Sequence, residues 1–157
     1  MATLDDVLQQ SLNLNLPFPA TTKQAAGLVD GVKTDVMVMR FSDKIMVTIS
    51  QEGRLAHWLH VPLGNSNPGT DGMHSISEGT DDSLLPLSGL TATSLLGGHA
   101  SGQDTIGQLV ARQIATAIAT KSPAEKRLLV VGLGLGPNSG ADRDAFFSII
   151  DLVLQCI

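Results

Sequence analysis

Between Lys23 and Pro62 the chain alternates apolar and polar residues in four segments separated by turn dipeptides. KQAAGLV leads to Asp30-Gly31, VKTDVMVMRF to Ser42-Asp43, KIMVTIS to Glu52-Gly53, and RLAHWLHVP follows. Alternation with a period of two is the pattern of a half-buried strand, and Ile45, Val47 and Ile49 fall on one face of the third segment. Asp-Gly suits a type I′ turn, whose two central residues both have positive φ. Turns this short leave a strand little choice but to pair with the one before it. The spacing therefore predicts four strands in a tight meander.

The remainder reads as follows. Residues 1–22 are expected to form a flexible N-terminal arm, with LNLNLPFP as a short extended segment. Residues 23–157 form a single α+β domain. Within it, residues 64–89 are rich in Gly, Ser, Asn, Asp and Pro and are expected to be a disordered loop. A short strand is predicted between Leu90 and Leu96. A helix follows, with Ser101 and Asp104 at capping-box spacing and an apolar stripe of Ile106, Leu109, Val110, Ile114, Ala117 and Ile118. Ser122-Pro123 closes it. Arg127 to Leu135 is predicted as a strand buried on both faces. The terminal helix carries Phe146, Ile149, Ile150, Val153, Leu154 and Ile157 at helical spacing. The fold class is α+β: a mainly antiparallel β meander of about six strands packed with two amphipathic helices.

The stretch LLVVGLGLGPNSGADRD invites a nucleotide-binding reading, and the register argues against it. A dinucleotide fingerprint needs G-x-G-x-x-G. Starting from Gly132, the third glycine falls on Pro137; starting from Gly134, it falls on Ser139. Gly140 is followed by Ala141 and Asp142 rather than Lys and Ser/Thr, and Asp142 and Asp144 would repel a phosphate. On a strand, Gly132, Gly134 and Gly136 share one face, which lets another segment approach closely. They are expected to be packing glycines.

Other chemistry is equally thin. His57 and His60 in HWLH are three apart, so on a strand they face opposite sides and do not converge on a metal. Trp58 between them reads as a core or interface anchor. His99 and Ser101 in SLLGGHASGQ lack the G-x-S-x-G elbow of a hydrolase. Cys156, the only cysteine, has nothing nearby in sequence to activate its thiol, and a lone cysteine suits a reducing compartment. No catalytic set, metal site or cofactor is expected. A net charge of −5 with ten Lys and Arg in 157 residues disfavours nucleic-acid or anionic-membrane partners. The N-terminus has no basic region or continuous apolar core, so no secretory leader is expected. The expected location is the cytoplasm, with the nucleus open as well. One feature goes beyond core patterning: Ala111, Ala115 and Ala119 repeat every four residues on the first helix. Placed roughly opposite the isoleucine stripe, they form a candidate interface flat enough for close packing.

In its run of strands and turns the chain resembles the proteasome assembly chaperone 3 family. The resemblance lies in KQAAGLVDGVKTDVMVMRFSDKIMVTISQEGRL, in TATSLLGG before the helix, in KRLLVVGLGL, and in the closing DLVLQCI. It covers Lys23 to Ile157 apart from the loop. The chain departs from the family in a longer loop between Leu63 and Gly89, and in glycines on the last strand where the family can have Val or Ala. The resemblance implies a non-catalytic chaperone for α-ring assembly of the 20S proteasome. Such a chaperone would dimerise with the related fourth assembly chaperone or with itself, hold an α-type subunit (the fifth), and leave before maturation. Two alternatives stay open: a profilin-like or roadblock-like dimeric adaptor in trafficking or motor assembly, and a small hydrolase using His99.

Overall fold

The computed structural model describes residues 20–64, 89–99, 102–137, 139 and 142–157. The predicted extended segment LNLNLPFP, most of the predicted arm and nearly all of the predicted loop lie outside these residues. Among the described residues there are six strands: β1 (Thr21–Val29), β2 (Val32–Arg40), β3 (Lys44–Gln51), β4 (His57–Pro62), β5 (Thr93–Leu96) and β6 (Leu128–Gly134). Helix α1 (Gln103–Lys121) lies between β5 and β6, and α2 (Arg143–Leu154) follows β6. The result is an α+β fold whose sheet is mostly antiparallel. Among the described residues, no helix is long and apolar enough to cross a membrane.

Local chemistry sets the first hairpins. Asp30 and Gly31 have φ of 51° and 75°, as a type I′ turn requires, and β1 pairs with β2 from Thr21↔Arg40 to Val29↔Val32. Thr21 and Thr22, assigned by the sequence to the arm, already belong to β1. β2 and β3 pair antiparallel through Val38↔Val47.

The fourth strand departs from the expected meander. The sheet order is β1-β2-β3-β6-β4-β5, so β6 separates β3 from β4. β6 runs parallel to β3 (Val47↔Val131) and antiparallel to β4 (Leu59↔Val131). Its sequence, LLVVGLG, has no polar side chain, and it takes a central place. Glu52 and Gly53 do turn with positive φ (55° and 70°), but they turn the chain across the end of β6 instead of back along β3. The Arg54 N–H donates to the Gln51 carbonyl at 3.1 Å, and the Ala56 N–H donates to that of Leu133 at 2.9 Å.

Both helices cover the same side of the sheet. Val36, Val38, Ile45, Val47, Ile49, Leu59, Leu129 and Val131 are buried there, together with Val110, Ile114 and Ile118 of α1 and Ile149 and Val153 of α2. The burial of β3 alternates perfectly along its eight residues. β6 is buried on both faces, as predicted, only in its second half: Leu129, Val131, Gly132, Leu133 and Gly134 are buried, whereas Leu128 and Val130 are only half-buried. The side of the sheet away from the helices carries no covering layer among the described residues.

Candidate protein-interaction surface

Two rows of side chains cross this uncovered face. Register places Gln24, Met37, Thr48, Gly132, Trp58 and Leu96 in one row, and Thr22, Met39, Met46, Val130, His60 and Thr93 in the next. The centre is apolar: the three methionines, Val130 and Trp58 are half-buried, and Leu96 at the β5 edge is 67% exposed. Methionine side chains are flexible and polarizable, and a tryptophan supplies a large anchor; both are enriched where proteins bind proteins. The ends are polar, with Lys33 and Asp35 paired at 3.8 Å. An apolar centre with a polar rim is the anatomy of a protein contact.

The glycines of β6 shape this face. A Cβ on Gly132 would lie 2.8 Å from the Trp58 ring, so the bare backbone seats the indole. A Cβ on Gly134 would fall 1.5 Å from the Arg54 carbonyl oxygen, where the β3–β4 connection crosses the strand. Gly136 differs from both: its nearest neighbours, Gln51 Oε1 and Ser139 Oγ, would be an ordinary 3.5 Å away. It lies beyond β6, in a turn held by buried Gln51. The Gly136 N–H and the Ser139 hydroxyl both donate to Gln51 Oε1 at 2.8 Å, and Gln51 Nε2 donates to Thr34 Oγ1 at 3.0 Å. The Gly136 N–H, in the stretch that invites a nucleotide-binding reading, is thus bonded to the protein's own Gln51.

The alanine face is corrected by the helix geometry. At 100° per residue, Ala111 and Ala115 lie beside Ile114 and Ile118, not opposite them. Ala111 and Ala115 are fully buried in the chain's own core, and Ala119 packs partly buried against it. Leu109, assigned to the apolar stripe, is instead 44% exposed. The predicted capping box is also absent: the N-cap position is Gly102, at φ 80°, with no side-chain cap bond. Ser101 lies outside the described residues.

Asp104 is used elsewhere, in a cluster that sequence reasoning missed. Ser94 Oγ of β5 donates to the Asp104 carboxylate and lies 2.9 Å from His57 Nε2 of β4. Gln108 Nε2 donates to the other Asp104 oxygen at 2.9 Å. His57, not His99, is the histidine joined to a serine and an aspartate. Both partners sit at the same ring nitrogen, which is not the arrangement that activates a serine nucleophile, where the carboxylate holds the opposite nitrogen. His60 stands on the uncovered face, so the two imidazoles of HWLH diverge as expected. Glycines at 98 and 107 were the available signal, because they make room for the buried ring, while Gly97 clears the Ala56 backbone. Cys156 is a free, buried thiol, and burial raises its pKa, with Lys23 opposing.

No family model matches the chain, and no curated protein matches it in sequence. Among solved structures, it is similar to a chain in the crystal structure of a novel chaperone complex for yeast 20S proteasome assembly. Identity is 17%, the TM-score is 0.51, and the match covers 87% of this chain and 94% of the other. At that identity, what the two share is the fold.

Proposed function

We propose that this chain is a non-catalytic chaperone of 20S proteasome assembly. It acts in the cytoplasm, and also the nucleus, on the α-ring. As one member of a dimer, with a second copy or the related fourth assembly chaperone, it holds an α-type subunit, the fifth, and leaves before the particle matures. The observation that carries this reading is the fold likeness to the yeast assembly-chaperone chain, which extends over nearly the whole of both proteins. The uncovered sheet face supports it, because a chaperone of assembly works by presenting a preformed surface. The sheet is hydrogen-bonded across six strands, and its Met37, Met39, Met46, Val130 and Trp58 centre offers the adaptable apolar contact that a subunit interface would later replace.

The experiment is capture from cell extract with the full chain, followed by mass spectrometry. Recovery of α-type subunits without β-type subunits supports the proposal. Recovery of trafficking or motor components would favour the adaptor alternative, and recovery of complete 20S particles would contradict release before maturation.

A further inference from the structure

His57 occupies an unusual seat. Its side chain is 8% exposed and lies between two glycine backbones. A Cβ on Gly98 would come within 2.5 Å of Nε2, and one on Gly107 within 2.5 Å of Nδ1. The ring therefore touches the turn after β5 on one side and the first turns of α1 on the other. Through Ser94 it reaches Asp104, which stands 3.5 Å from Nε2. Three elements, β4, β5 and α1, meet at this one imidazole. The contact matters because β5 is otherwise held mainly by its pairing with β4 and touches α1 little: it is four residues long, forms the sheet edge, and carries exposed Leu95 and Leu96.

The neutral ring is the form that fits. With Nε2 serving Ser94, a second proton would sit on Nδ1, against Gly107 and beside a cavity whose lining is mainly apolar (Ile106, Leu133, Leu135) with Gln103 and Ser139 at its polar part. No described residue accepts a hydrogen bond there. The charged and titratable groups facing His57 are Asp104 from α1 and His99 from the turn after β5. β5 itself contributes only the Ser94 hydroxyl, and β6 contributes Leu133. Burial is the largest influence and holds the imidazole pKa below its ordinary value; Asp104 opposes this, and His99 adds to it.

We propose that the His57–Ser94–Asp104 linkage is an acid-labile latch: protonation of His57 releases β5 and the Gly97–Gly98 turn from α1. Opening frees the Leu96 end of the uncovered face and leaves the β1–β2–β3 part intact. The latch is a property of the fold and stands whether or not the chaperone reading holds; its use in releasing a partner rests on that reading. The opened state takes up the proton more readily than the closed state. Opening is therefore least favoured above the ordinary imidazole pKa, and more favoured as pH falls below it until the closed-state pKa is passed.

Amide hydrogen exchange on the full chain, without partner, tests this from about pH 8 to about pH 5, with protection corrected for intrinsic exchange. Protection over β5 and the start of α1 should fall by up to about tenfold per pH unit below about 6.5, then level off. Protection in β2 and β3 should hold. His57→Gln, whose amide nitrogen stands in for Nε2, should remove the pH dependence. Asp104→Asn removes the charge that favours the proton, so the levelling-off should move to lower pH; this variant carries the test if His57→Gln does not fold. The latch is overturned if β5 protection is independent of pH, if β2 and β3 lose protection in parallel, or if Asp104→Asn leaves the profile unmoved.

Discussion

Gly134 and Gly136 are two residues apart in sequence and do opposite work. Gly134 lies under the Arg54 carbonyl, a backbone atom held by the crossing of β6, so no side-chain rotation can relieve a substitution. Even Gly134→Ala should cost more than the ~1–3 kcal/mol of ordinary overpacking, and Gly134→Val should prevent folding. Gly136→Ala should shift the thermal midpoint little, since the nearest atoms leave room for a methyl group. Thermal unfolding of the three variants checks the contrast; a stable Gly134→Ala would mean that the β3–β4 connection is free to move. Gln51 makes a second residue-scale case. Gln51→Leu keeps the bulk but leaves the Gly136 N–H and the Ser139 and Thr34 hydroxyls without their partner, which should cost about 1–3 kcal/mol by urea titration. No sequence pattern points to Gln51. A polar residue at the end of a strand reads as exposed, until a distant turn folds over it.

At the scale of elements, strand identity was legible and strand order was not. The period-two runs and the Asp30-Gly31 turn specify β1, β2 and β3, because those choices are local. The place of β6 between β3 and β4 depends on a pairing some eighty residues apart, for which the sequence offers only an apolar run. Helix α1 shows a related limit: its period was legible, but assigning alanine to an outer face treated small residues as surface when they line the core. Ala115→Arg consequently tests folding rather than pairing. A guanidinium at a fully buried site should abolish the folded state by circular dichroism, not merely separate a dimer. The connection between α1 and β6 supplies a pH prediction. Arg127 donates to both oxygens of Glu125 and to the Phe41 carbonyl, and hydrogen bonding to Arg127 lowers the Glu125 pKa from 4.5 to about 2. A carboxylate with a lowered folded-state pKa stabilises fully above its unfolded value and progressively less as pH falls toward the folded one. Urea midpoints should thus drop between about pH 5 and about pH 2, and Glu125→Gln should flatten that limb.

For the molecule as a whole, the described residues form two layers, helices on one side and a sheet whose other, apolar-centred face carries no third layer. Under the proposed function, this face belongs to an α-type proteasome subunit before the ring is complete. The most direct measurement is sedimentation of the purified chain with purified α-type subunits, and separately with mature 20S particles. It should be made for the natural sequence and for Met46→Glu, which places a charge at the centre of the face without touching the helix side. A stoichiometric complex with free α-type subunit is predicted for the natural chain. Met46→Glu should weaken it by at least about tenfold, equivalent to ~1.4 kcal/mol, while the variant stays folded, and neither should bind the mature particle. Equal binding by Met46→Glu would move the contact to another surface, and absence of any complex with α-type subunits, or stable binding to mature particles, would contradict the account.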